Sequence, residues 1–383
     1  MKIIFITAYA HKQGTYFRWH NLAIGLKNLG HDVSVYGFDA TISDGTYNEV
    51  RDGISYHLIY SSKGKKFFGQ LAHPLNILKG IFNPLPKADI YHVFQPFPIS
   101  CFRGLWYKKR AKALFYDWDD LWYGGLVPID GLKSATFEQK YTHSWTKLLE
   151  KNMPSWVDGT TVCSDYLYQL AKYAKAKKVS KTYNGFWSNH LTIDKVQART
   201  ALGMPREGTI FGFMGRTIDE MEWCFDVLEI EDNPNIKLAL CGMKEDQLPS
   251  DFKKWGSRLL FLGNLTPENA KMFSYAIDVG LLPLKNTNFN QSRFPIKFSE
   301  YLAAQKPVVC SEVGEVYMLS KEINGVYLAG KSREEWRNTL VKVIEESNLN
   351  SIKTPSIENV ESILSWEQIV LALNKTYTQT LHY

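Results

Sequence analysis

The segment Arg293-Phe-Pro-Ile-Lys-Phe-Ser-Glu-Tyr-Leu-Ala-Ala-Gln-Lys-Pro-Val-Val-Cys-Ser311 carries the clearest structural signal in this chain. Pro295 suits the first turn of a helix, and apolar residues recur after it at helical spacing. Pro307 cannot continue that helix, and the three apolar residues that follow it, 308–310, suit a buried strand. The segment therefore predicts a loop, a helix and a strand of parallel type.

The start of this helix is suited to binding an anion. Its first N–H groups, from Ile296 onward, have no partner within the helix, and the helix dipole is positive at that end. Lys297 adds a full positive charge there, and Glu300 follows three residues later on roughly the same face. A carboxylate at this position can accept hydrogen bonds from two neighbouring hydroxyls, such as those of a ribose. The pair suits a nucleotide that carries phosphates; the alternative is that both side chains simply face water.

The same residues resemble a known signature. Pro295, Lys297, residues 300–304 and residues 306–309 are similar to the nucleotide-binding signature of GT-B-fold glycosyltransferases, specifically the retaining family 4. The resemblance implies an α/β chain with two Rossmann-like, doubly wound parallel-sheet domains facing a cleft. It also implies that Pro295, Ile296, Lys297 and Glu300 bind a donor substrate, a UDP- or GDP-linked sugar, without a separate cofactor.

Length and composition agree with two globular domains. The chain has 383 residues, more than one hydrophobic core usually serves. Its 45% apolar and 22% charged residues are ordinary for a soluble protein. The net charge of +6 is mild and permits attraction to phosphate-bearing ligands or anionic lipid. Nucleic acid is not expected as a partner, because no binding motif accompanies the charges.

The cysteines and the N-terminus favour a cytoplasmic protein. Cys163, Cys241 and Cys310 lie in apolar runs and no C-x-x-C motif occurs, so reduced core thiols are expected rather than disulfides or a zinc site. The apolar run after Met1 is too short for a signal peptide and continues into a turn, which favours a buried first strand. No run reaches the roughly 18–20 apolar residues that span a bilayer.

The N-terminal region alternates in the manner of a parallel sheet. An apolar run, a helix from about residue 16 to 29 and a second apolar run over 33–38 form a βαβ pattern. Gly14 follows the first strand, where a residue without a side chain lets the backbone approach a sugar or phosphate. The segment resembles the family's first strand, glycine loop and Gly-His-x-Val ending, here 30–33, although the family usually has two adjacent glycines. A single glycine is equally compatible with any βα turn.

Tyr116-Asp-Trp-Asp-Asp-Leu-Trp-Tyr123 gathers three carboxylates among aromatic residues at the end of a predicted strand. Like charges raise one another's pKa, so the cluster is expected to face a polar ligand. In the resembled family this strand end contacts donor sugar and acceptor, which makes Asp119 and Asp120 candidate catalytic residues. Two alternatives stay open: the pair caps the next helix, or Asp117 and Asp119 form the metal-binding Asp-x-Asp of the other large glycosyltransferase fold. The parallel-sheet pattern argues against that fold, so no metal is expected.

The second half repeats the strand-and-glycine arrangement. An apolar strand runs into Gly215-Arg216, where the glycine would admit a ligand and the guanidinium would hold phosphate oxygens. The resemblance makes Arg216 and Lys297 the groups that stabilise the leaving diphosphate; the alternative for Arg216 is a surface salt bridge. Two positions depart from the family: Met221 stands where a lysine is usual, and Ser292 where the first of two glutamates is usual.

A basic and aromatic region could contact a membrane. Lys63-Gly-Lys-Lys-Phe-Phe68 is followed by an amphipathic pattern over 71–82, and Trp106-Tyr-Lys-Lys-Arg110 has a similar composition. Together they suit an anionic membrane surface that carries a lipid-linked acceptor. The alternative is that these lysines extend around ordinary core helices.

The patterns also predict the domain boundaries. Residues 1–190 are expected to bind the acceptor, and residues 205–365, after a linker over 188–208, to bind the nucleotide sugar. A terminal helix over about 366–383 is expected to cross back onto the first domain, as the resemblance implies. Further strands are predicted at 54–60, 90–95, 114–118, 160–163, 236–241, 259–262 and 279–284, and a helix capped by Ser164 and Asp165 follows the fourth of these.

The resemblance, which covers nearly the whole chain, implies a cytoplasmic retaining hexosyltransferase, and contact with the inner face of the plasma membrane stays open beside it. The enzyme would move a hexose from a nucleotide diphosphate sugar to a glycan or lipid-linked acceptor in bacterial surface polysaccharide synthesis. One alternative is a nucleotide-sugar epimerase, which would need clustered titratable groups that the isolated histidines do not provide. The other is a catalytically silent scaffold that binds a nucleotide sugar or glycan, which Met221 and Ser292 would support.

Overall fold

The computed structural model describes residues 1–10, 14–41, 44–61, 70–124, 135–188, 193–215, 221–248, 250–348 and 351–382. The chain divides into two compact units. The first comprises Met1–Asn184, Gln291–Arg293 and Trp366–Tyr383, and the second Gly185–Asn290 and Phe294–Ser365. Arg216 and the basic segment 63–68 lie outside the described residues.

The first unit is built on an eight-stranded sheet. Its strands are β1 Lys2–Ile6, β2 Asp32–Asp39, β3 Thr46–Arg51, β4 Ile54–Tyr60, β5 Ala88–Phe94, β6 Ala111–Trp118, β7 Gly159–Val162 and β8 Val179–Lys181. They lie in the order β3-β4-β2-β1-β5-β6-β7-β8. Every neighbouring pair is parallel except β3 with β4. The parallel sheet expected from the βαβ alternation is confirmed.

Helices cover this sheet, and the last one comes from the far end of the chain. They are α1 Tyr16–Asn28, α2 Pro74–Phe82, α3 Pro98–Trp106, α4 Phe137–Trp156, α5 Asp165–Tyr173 and α14 Trp366–Leu381. The α14 helix lies directly on α1, because a Cβ added to Gly25 would meet Val370 Cγ2 at 2.4 Å. Ser164 is the N-cap of α5, as predicted, and its Oγ accepts a hydrogen bond from Leu167 N at 3.2 Å.

The second unit has a six-stranded sheet that is parallel throughout. Its strands are β9 Thr209–Met214, β10 Ile236–Cys241, β11 Leu259–Phe261, β12 Val279–Leu282, β13 Val308–Cys310 and β14 Val326–Leu328, in the order β11-β10-β9-β12-β13-β14. Its helices are α6 Lys195–Ala201, α7 Asp226–Ile230, α8 Pro267–Ala276, α9 Asn288–Ser292, α10 Ile296–Ala303, α11 Gly314–Leu319, α12 Arg333–Asn348 and α13 Ile357–Leu364. The last two residues of α9 belong to the first unit.

The helix α10 and strand β13 are the loop–helix–strand segment predicted from the sequence. Pro295 stands at the N-cap rather than inside the first turn, so α10 begins at Ile296. Tyr301 fixes the helix against the sheet: its hydroxyl accepts a hydrogen bond from Met214 N at 3.0 Å. Its ring also fills the space where a Cβ on Gly280 would sit, 2.4 Å from Tyr301 Cδ2. Packing across β12 and β9 therefore sets the position of the helix start.

The boundary of the second domain differs from the prediction. Residues 195–201, predicted as linker, form α6, and its Arg199 is almost completely buried. The Arg199 guanidinium donates to Ala276 O at 2.8 Å and to Asp278 at 2.5 Å, which attaches α6 to the second unit. The unit consequently begins at Gly185 rather than at 205.

Three strands that the sequence pattern did not predict are short or exposed. The β3 residues are mostly solvent-exposed, and β8 and β14 have three residues each and lie at sheet edges. All five cysteines are buried, as expected of core thiols. Within the described ranges, no helix has the length and apolar composition needed to cross a bilayer.

Candidate active site

A polar cluster lies at the carboxyl ends of β1, β5 and β6 in the first unit. Gln95 follows β5 with a φ of 67°, and its Nε2 donates to Tyr9 OH at 2.9 Å and to Thr15 Oγ1 at 2.8 Å. Asp119 follows β6, and its Oδ1 accepts a hydrogen bond from Trp122 Nε1 at 3.2 Å. Ligands of parallel sheets bind at this edge, so the structure places Asp119 where the sequence predicted a polar ligand.

The carboxylates of this cluster have raised pKa values. Burial and the neighbouring Asp117 raise the pKa of Asp119 to about 6. Burial and Asp119 raise the pKa of Asp120 well above its usual range, and Arg293 opposes that rise. The next described helix, α4, takes its N-cap from Thr136. Within the described ranges, therefore, the helix that follows these two residues is not capped by Asp119 or Asp120.

Asp117 is committed to an ion pair. The Arg18 guanidinium donates to it from Nε at 2.8 Å and from Nη2 at 2.9 Å, and both side chains are almost completely buried. Burial alone would raise the pKa of Asp117, but the charge and hydrogen bonds of Arg18 hold it below its ordinary value. Because both carboxylate oxygens are engaged, Asp117 is unsuited to an Asp-x-Asp metal site. Among the described residues, no three His, Cys, Asp or Glu side chains cluster as metal ligands.

Glu150, on α4, supports the loop after β6 and was not predicted from the sequence. Its carboxylate accepts hydrogen bonds from Trp118 Nε1 at 3.1 Å, Trp122 N at 2.7 Å and Tyr123 N at 3.0 Å. Burial is the largest influence and raises the pKa of Glu150 to about 8. Through Trp122, Glu150 orients the group that bonds Asp119. The only sequence signal was a single acidic residue on an apolar helix face.

Gly14 lies in the loop after β1, as predicted. Its φ is 57°, in the left-handed region that favours glycine, while no atom lies within 4 Å of an added Cβ. The backbone conformation therefore explains this glycine, and its contact with a sugar or phosphate stays a prediction.

Three glycines line the carboxyl edge of the second sheet. Gly215, Gly242 and Gly263 follow the adjacent strands β9, β10 and β11. Gly215 N donates to Cys241 O at 3.0 Å, and Gly242 N to Gly263 O at 2.8 Å. A Cβ on Gly242 would lie 2.8 Å from Gly215 O, so a side chain cannot fit there. Gly215 was predicted, whereas Gly242 and Gly263 become recognisable only once the strand order is known.

Lys297 lies beside this glycine edge. Its Nζ is 4.5 Å from the centroid of the Phe213 ring and would be 3.3 Å from a Cβ on Gly215. Pro295, at the N-cap of α10, provides no side-chain hydrogen bond to the N–H groups that begin with Ile296. The structure thus brings together Gly215, Lys297 and the start of α10, in the combination that the sequence predicted for phosphate binding.

Glu300 lies one turn further along α10 and is half-buried. Burial raises the pKa of Glu300 to about 7, against the opposing charges of Lys271 and Lys297. A carboxylate that is removed from water to this extent is not an ordinary surface group, so the alternative that it simply faces solvent is not supported. Its position near Lys297 agrees with a shared ligand.

The second unit also matches a known family. Residues 208–346 match the family model described as glycosyl transferases group 1. Over that range the chain is similar to the group 1 glycosyltransferases. A relative in Bacillus subtilis strain 168, named as the teichuronic acid biosynthesis glycosyltransferase TuaH, is 23% identical over 323 residues, which is 80% of this chain and 79% of the relative.

Solved structures similar to this chain extend the likeness to both units. Sucrose-phosphate synthase from Thermosynechococcus elongatus has a TM-score of 0.71 at 16% identity, covering 100% of this chain and 99% of that one. Anabaena HepE (Alr3699), solved with UDP and glucose, has a TM-score of 0.69 at 18% identity, covering 99% and 100%. At these identities the likeness establishes the fold, which is the GT-B fold predicted from the sequence.

Two positions of this chain depart from the family pattern described above, and both are buried. Met221 is part of the apolar core of the second unit. Ser292 belongs to the first unit, where its Oγ accepts a hydrogen bond from Leu121 N at 3.2 Å and its carbonyl oxygen accepts one from Ser164 Oγ at 2.5 Å. Both residues therefore have a structural role in this chain, Met221 in the core and Ser292 through its hydrogen bonds. Residues 291–293, which the sequence placed in the second domain, belong to the first unit.

Replacing Glu300 with Ala is expected to weaken nucleotide binding by about 1–3 kcal/mol, the cost of losing a charge-assisted hydrogen bond. Because the pKa of Glu300 is about 7, affinity is also expected to fall as the pH is lowered through neutrality and the carboxylate takes up a proton. Calorimetric titration of the wild type, Glu300→Ala and Glu300→Gln at several pH values measures both effects.

The phosphates of the nucleotide also take up protons, but they do so equally with wild type and with Glu300→Gln. The difference between the two pH profiles of affinity therefore reports the protonation of Glu300 alone. Glu345→Ala, at an exposed position of α12, is the matched control. Unchanged affinity in Glu300→Ala, or parallel pH profiles in wild type and Glu300→Gln, would contradict the assignment of Glu300 to ribose.

Proposed function

We propose that this chain is a glycosyltransferase that moves a hexose from a UDP- or GDP-linked sugar to a glycan or lipid-linked acceptor, with retention of configuration. The observation that carries the proposal lies at the carboxyl edge of the second sheet, where Lys297 is next to Gly215 and α10 begins without a side-chain cap. N–H groups without a side-chain cap and a cation at one helix start favour a diphosphate.

The second unit has a largely electrostatic role in the proposed reaction. Lys297 and the N–H groups at Ile296 stabilise the charge that develops on the departing diphosphate, together with Arg216, whose position is outside the described residues. Glu300 accepts hydrogen bonds from the ribose hydroxyls. No metal is assigned a part in this step. The HepE structure, solved with UDP and glucose, supports a uridine donor with a hexose.

The first unit supplies the acceptor side of the reaction. Asp119 and Asp120 bind hydroxyls of the acceptor or the transferred sugar at the carboxyl ends of β5 and β6. The raised pKa of Asp119, about 6, keeps a basic carboxylate available near neutral pH. The name of the B. subtilis relative supports an acceptor in bacterial surface polysaccharide synthesis. We place the enzyme at the cytoplasmic face of the membrane, where nucleotide sugars are available.

The direct test is calorimetric titration of the purified chain with UDP, GDP and ADP, followed by sugar release from the matching sugar nucleotides. We expect one nucleotide to bind well and its sugar nucleotide to be hydrolysed slowly without acceptor. Turnover should also survive a chelator, since no metal takes part.

Each other result has a definite meaning. Failure to bind any of the three nucleotides would overturn the proposal. Tight binding without sugar release, even with polysaccharide precursors as acceptors, would favour a silent scaffold and make Met221 and Ser292 the positions to revert. Activity that disappears with chelator and returns with a divalent ion would refute metal-free transfer.

A further inference from the structure

The helix α2 presents three large apolar side chains to solvent, while Ile77 and Ile81 are half-buried and Ile77 packs against a core cluster of the unit. Leu75, Leu78 and Phe82 are 57%, 45% and 79% exposed, and their spacing places them on one face. The residues of α2 that are completely buried are instead Asn76 and Gly80. A surface helix normally has the opposite arrangement, so this face indicates an apolar partner outside the unit.

Packing explains why α2 cannot turn its apolar face inward. A Cβ on Gly80 would already lie 3.0 Å from Phe38 Cζ and 3.5 Å from Arg103 Cδ, so a larger residue would not fit at that contact. Asn76 is held by a hydrogen bond from its Nδ2 to Gln70 O at 3.0 Å. The orientation of α2 is therefore determined by its neighbours, and the exposed face does not result from a loosely held helix.

Trp106, at the end of α3, extends the apolar surface and is 65% exposed. The ends of α2 and α3 are joined: Tyr107 OH donates to Ile81 O, and Arg103 Nη2 donates to Asn83 O at 3.1 Å. Phe82 and Trp106 are the last residues of these two joined helices. The outer face of α2 and Trp106 form one patch, which we call the α2 patch.

Basic side chains adjoin the α2 patch. Both helices lead into strands, α2 into β5 and α3 into β6, so their ends lie toward the edge where these strands begin. A pocket of about 430 Å³ at that edge is lined by five cations and one carboxylate, Asp89. Asp89 is already paired with Lys112 at 2.7 Å. The cations are Lys2, Lys87, Lys109, Arg110 and Lys112, all of them exposed.

We propose that the α2 patch and this basic edge form a docking surface for an anionic lipid bilayer. The apolar side chains can insert among the acyl chains of one leaflet, while the neighbouring cations contact the anionic headgroups above them. A soluble polyanion would use the cations and leave Phe82 and Trp106 in water. The inference deepens the proposed function by naming the partner that presents a lipid-linked acceptor, and it can be tested without donor or acceptor.

The test is co-sedimentation of the purified chain with vesicles of phosphatidylglycerol and phosphatidylcholine, compared with vesicles of phosphatidylcholine alone. We expect binding to the anionic vesicles, weakened by high salt. Leu75→Ser with Phe82→Ser should reduce that binding about tenfold or more, since two apolar contacts are lost. Lys87→Glu with Lys109→Glu should reduce it to a similar extent through charge repulsion.

Matched control pairs lie in the second unit. Val196→Ser with Val341→Ser changes two exposed apolar helix residues, and Lys253→Glu with Lys353→Glu changes two exposed lysines. Both control pairs should bind vesicles like the wild type. Thermal unfolding of each variant checks the fold, and Trp106→Ser provides a second apolar variant on a different helix.

Three results would overturn the proposal: no binding to anionic vesicles, undiminished binding by the Leu75/Phe82 and Trp106 variants, or binding that soluble polyglutamate abolishes while the apolar variants behave as wild type. The last result would identify an acidic polymer as the partner. Sugar release from the donor, measured without vesicles, should be normal in every surface variant. A failure of docking is therefore separable from a failure of the transferase proposal.

Discussion

Replacing Asp119 with Asn is expected to lower the rate of sugar transfer by about 10²-fold or more, with nucleotide affinity unchanged. Asn keeps the size of the side chain and can still accept the hydrogen bond from Trp122 Nε1, so the cluster should stay intact. What disappears is the negative charge that would orient or deprotonate a hydroxyl. The measurement is kcat and KM for transfer, together with calorimetric nucleotide binding.

The rate of sugar transfer is also expected to depend on pH through Asp119. Because the pKa of Asp119 is about 6, wild-type turnover should rise with pH through that value as the carboxylate loses its proton, and the rise should be absent from the residual activity of Asp119→Asn. Asp32→Asn, at an exposed position on the opposite edge of the same sheet, is the control. Normal turnover in Asp119→Asn would remove this residue from the reaction.

Replacing Asp117 with Ala is expected to lower the free energy of unfolding by about 3–5 kcal/mol. The change leaves the Arg18 guanidinium buried without its counter-charge, although Arg18 Nη1 keeps its bonds to Tyr183 O and Asn184 Oδ1, each at 3.1 Å. Chemical denaturation measures the loss. Adding Arg18→Met to Asp117→Ala should recover part of it, because the uncompensated charge is then gone.

An exposed ion pair provides the contrast. Asp165 and Lys181 are 2.9 Å apart and partly solvated, so Asp165→Ala should change stability by no more than about 1 kcal/mol. The folded-state pKa of Asp117 is lowered, so its stabilising contribution is present above the ordinary carboxyl pKa and is lost as the pH falls through the lower, folded-state value. If Asp117→Ala and Asp165→Ala lowered the free energy of unfolding equally, the buried ion pair would stabilise the fold no more than the exposed one.

Local pattern was sufficient for most of the secondary structure. The predicted strands at 54–60, 236–241 and 308–310 have the bounds found in the structure. These strands are apolar runs between turn residues, and burial of such runs needs no information from distant sequence. The strand β3 and helix α6 were not predicted, because β3 is mostly exposed and α6 is held by Arg199 through contacts far along the chain.

Some residues of the candidate sites were predictable from local sequence, and others were not. Pro295, Lys297 and Glu300 were predictable because they lie within one helical turn or two of each other, so their spacing alone brings them together. Arg18 and Asp117 are 99 residues apart, and Glu150 lies 28 residues from Trp122, so no spacing rule connects them. Gly242 and Gly263 gain their meaning from the order of β9, β10 and β11 across the sheet.

The helix α2 shows most clearly what the sequence predicts and what only the tertiary structure determines. Its sequence predicts an amphipathic helix. The parallel sheets and the position of α10 were likewise predictable from short-range periodicity and turn residues. Which face of α2 points outward depends on the close contact of Gly80 with Phe38 and Arg103, side chains from other elements. Periodicity predicts that a helix forms, but it does not determine which way the helix is rotated about its axis. Contacts with neighbouring elements determine that rotation, and they also determine which buried charges form ion pairs.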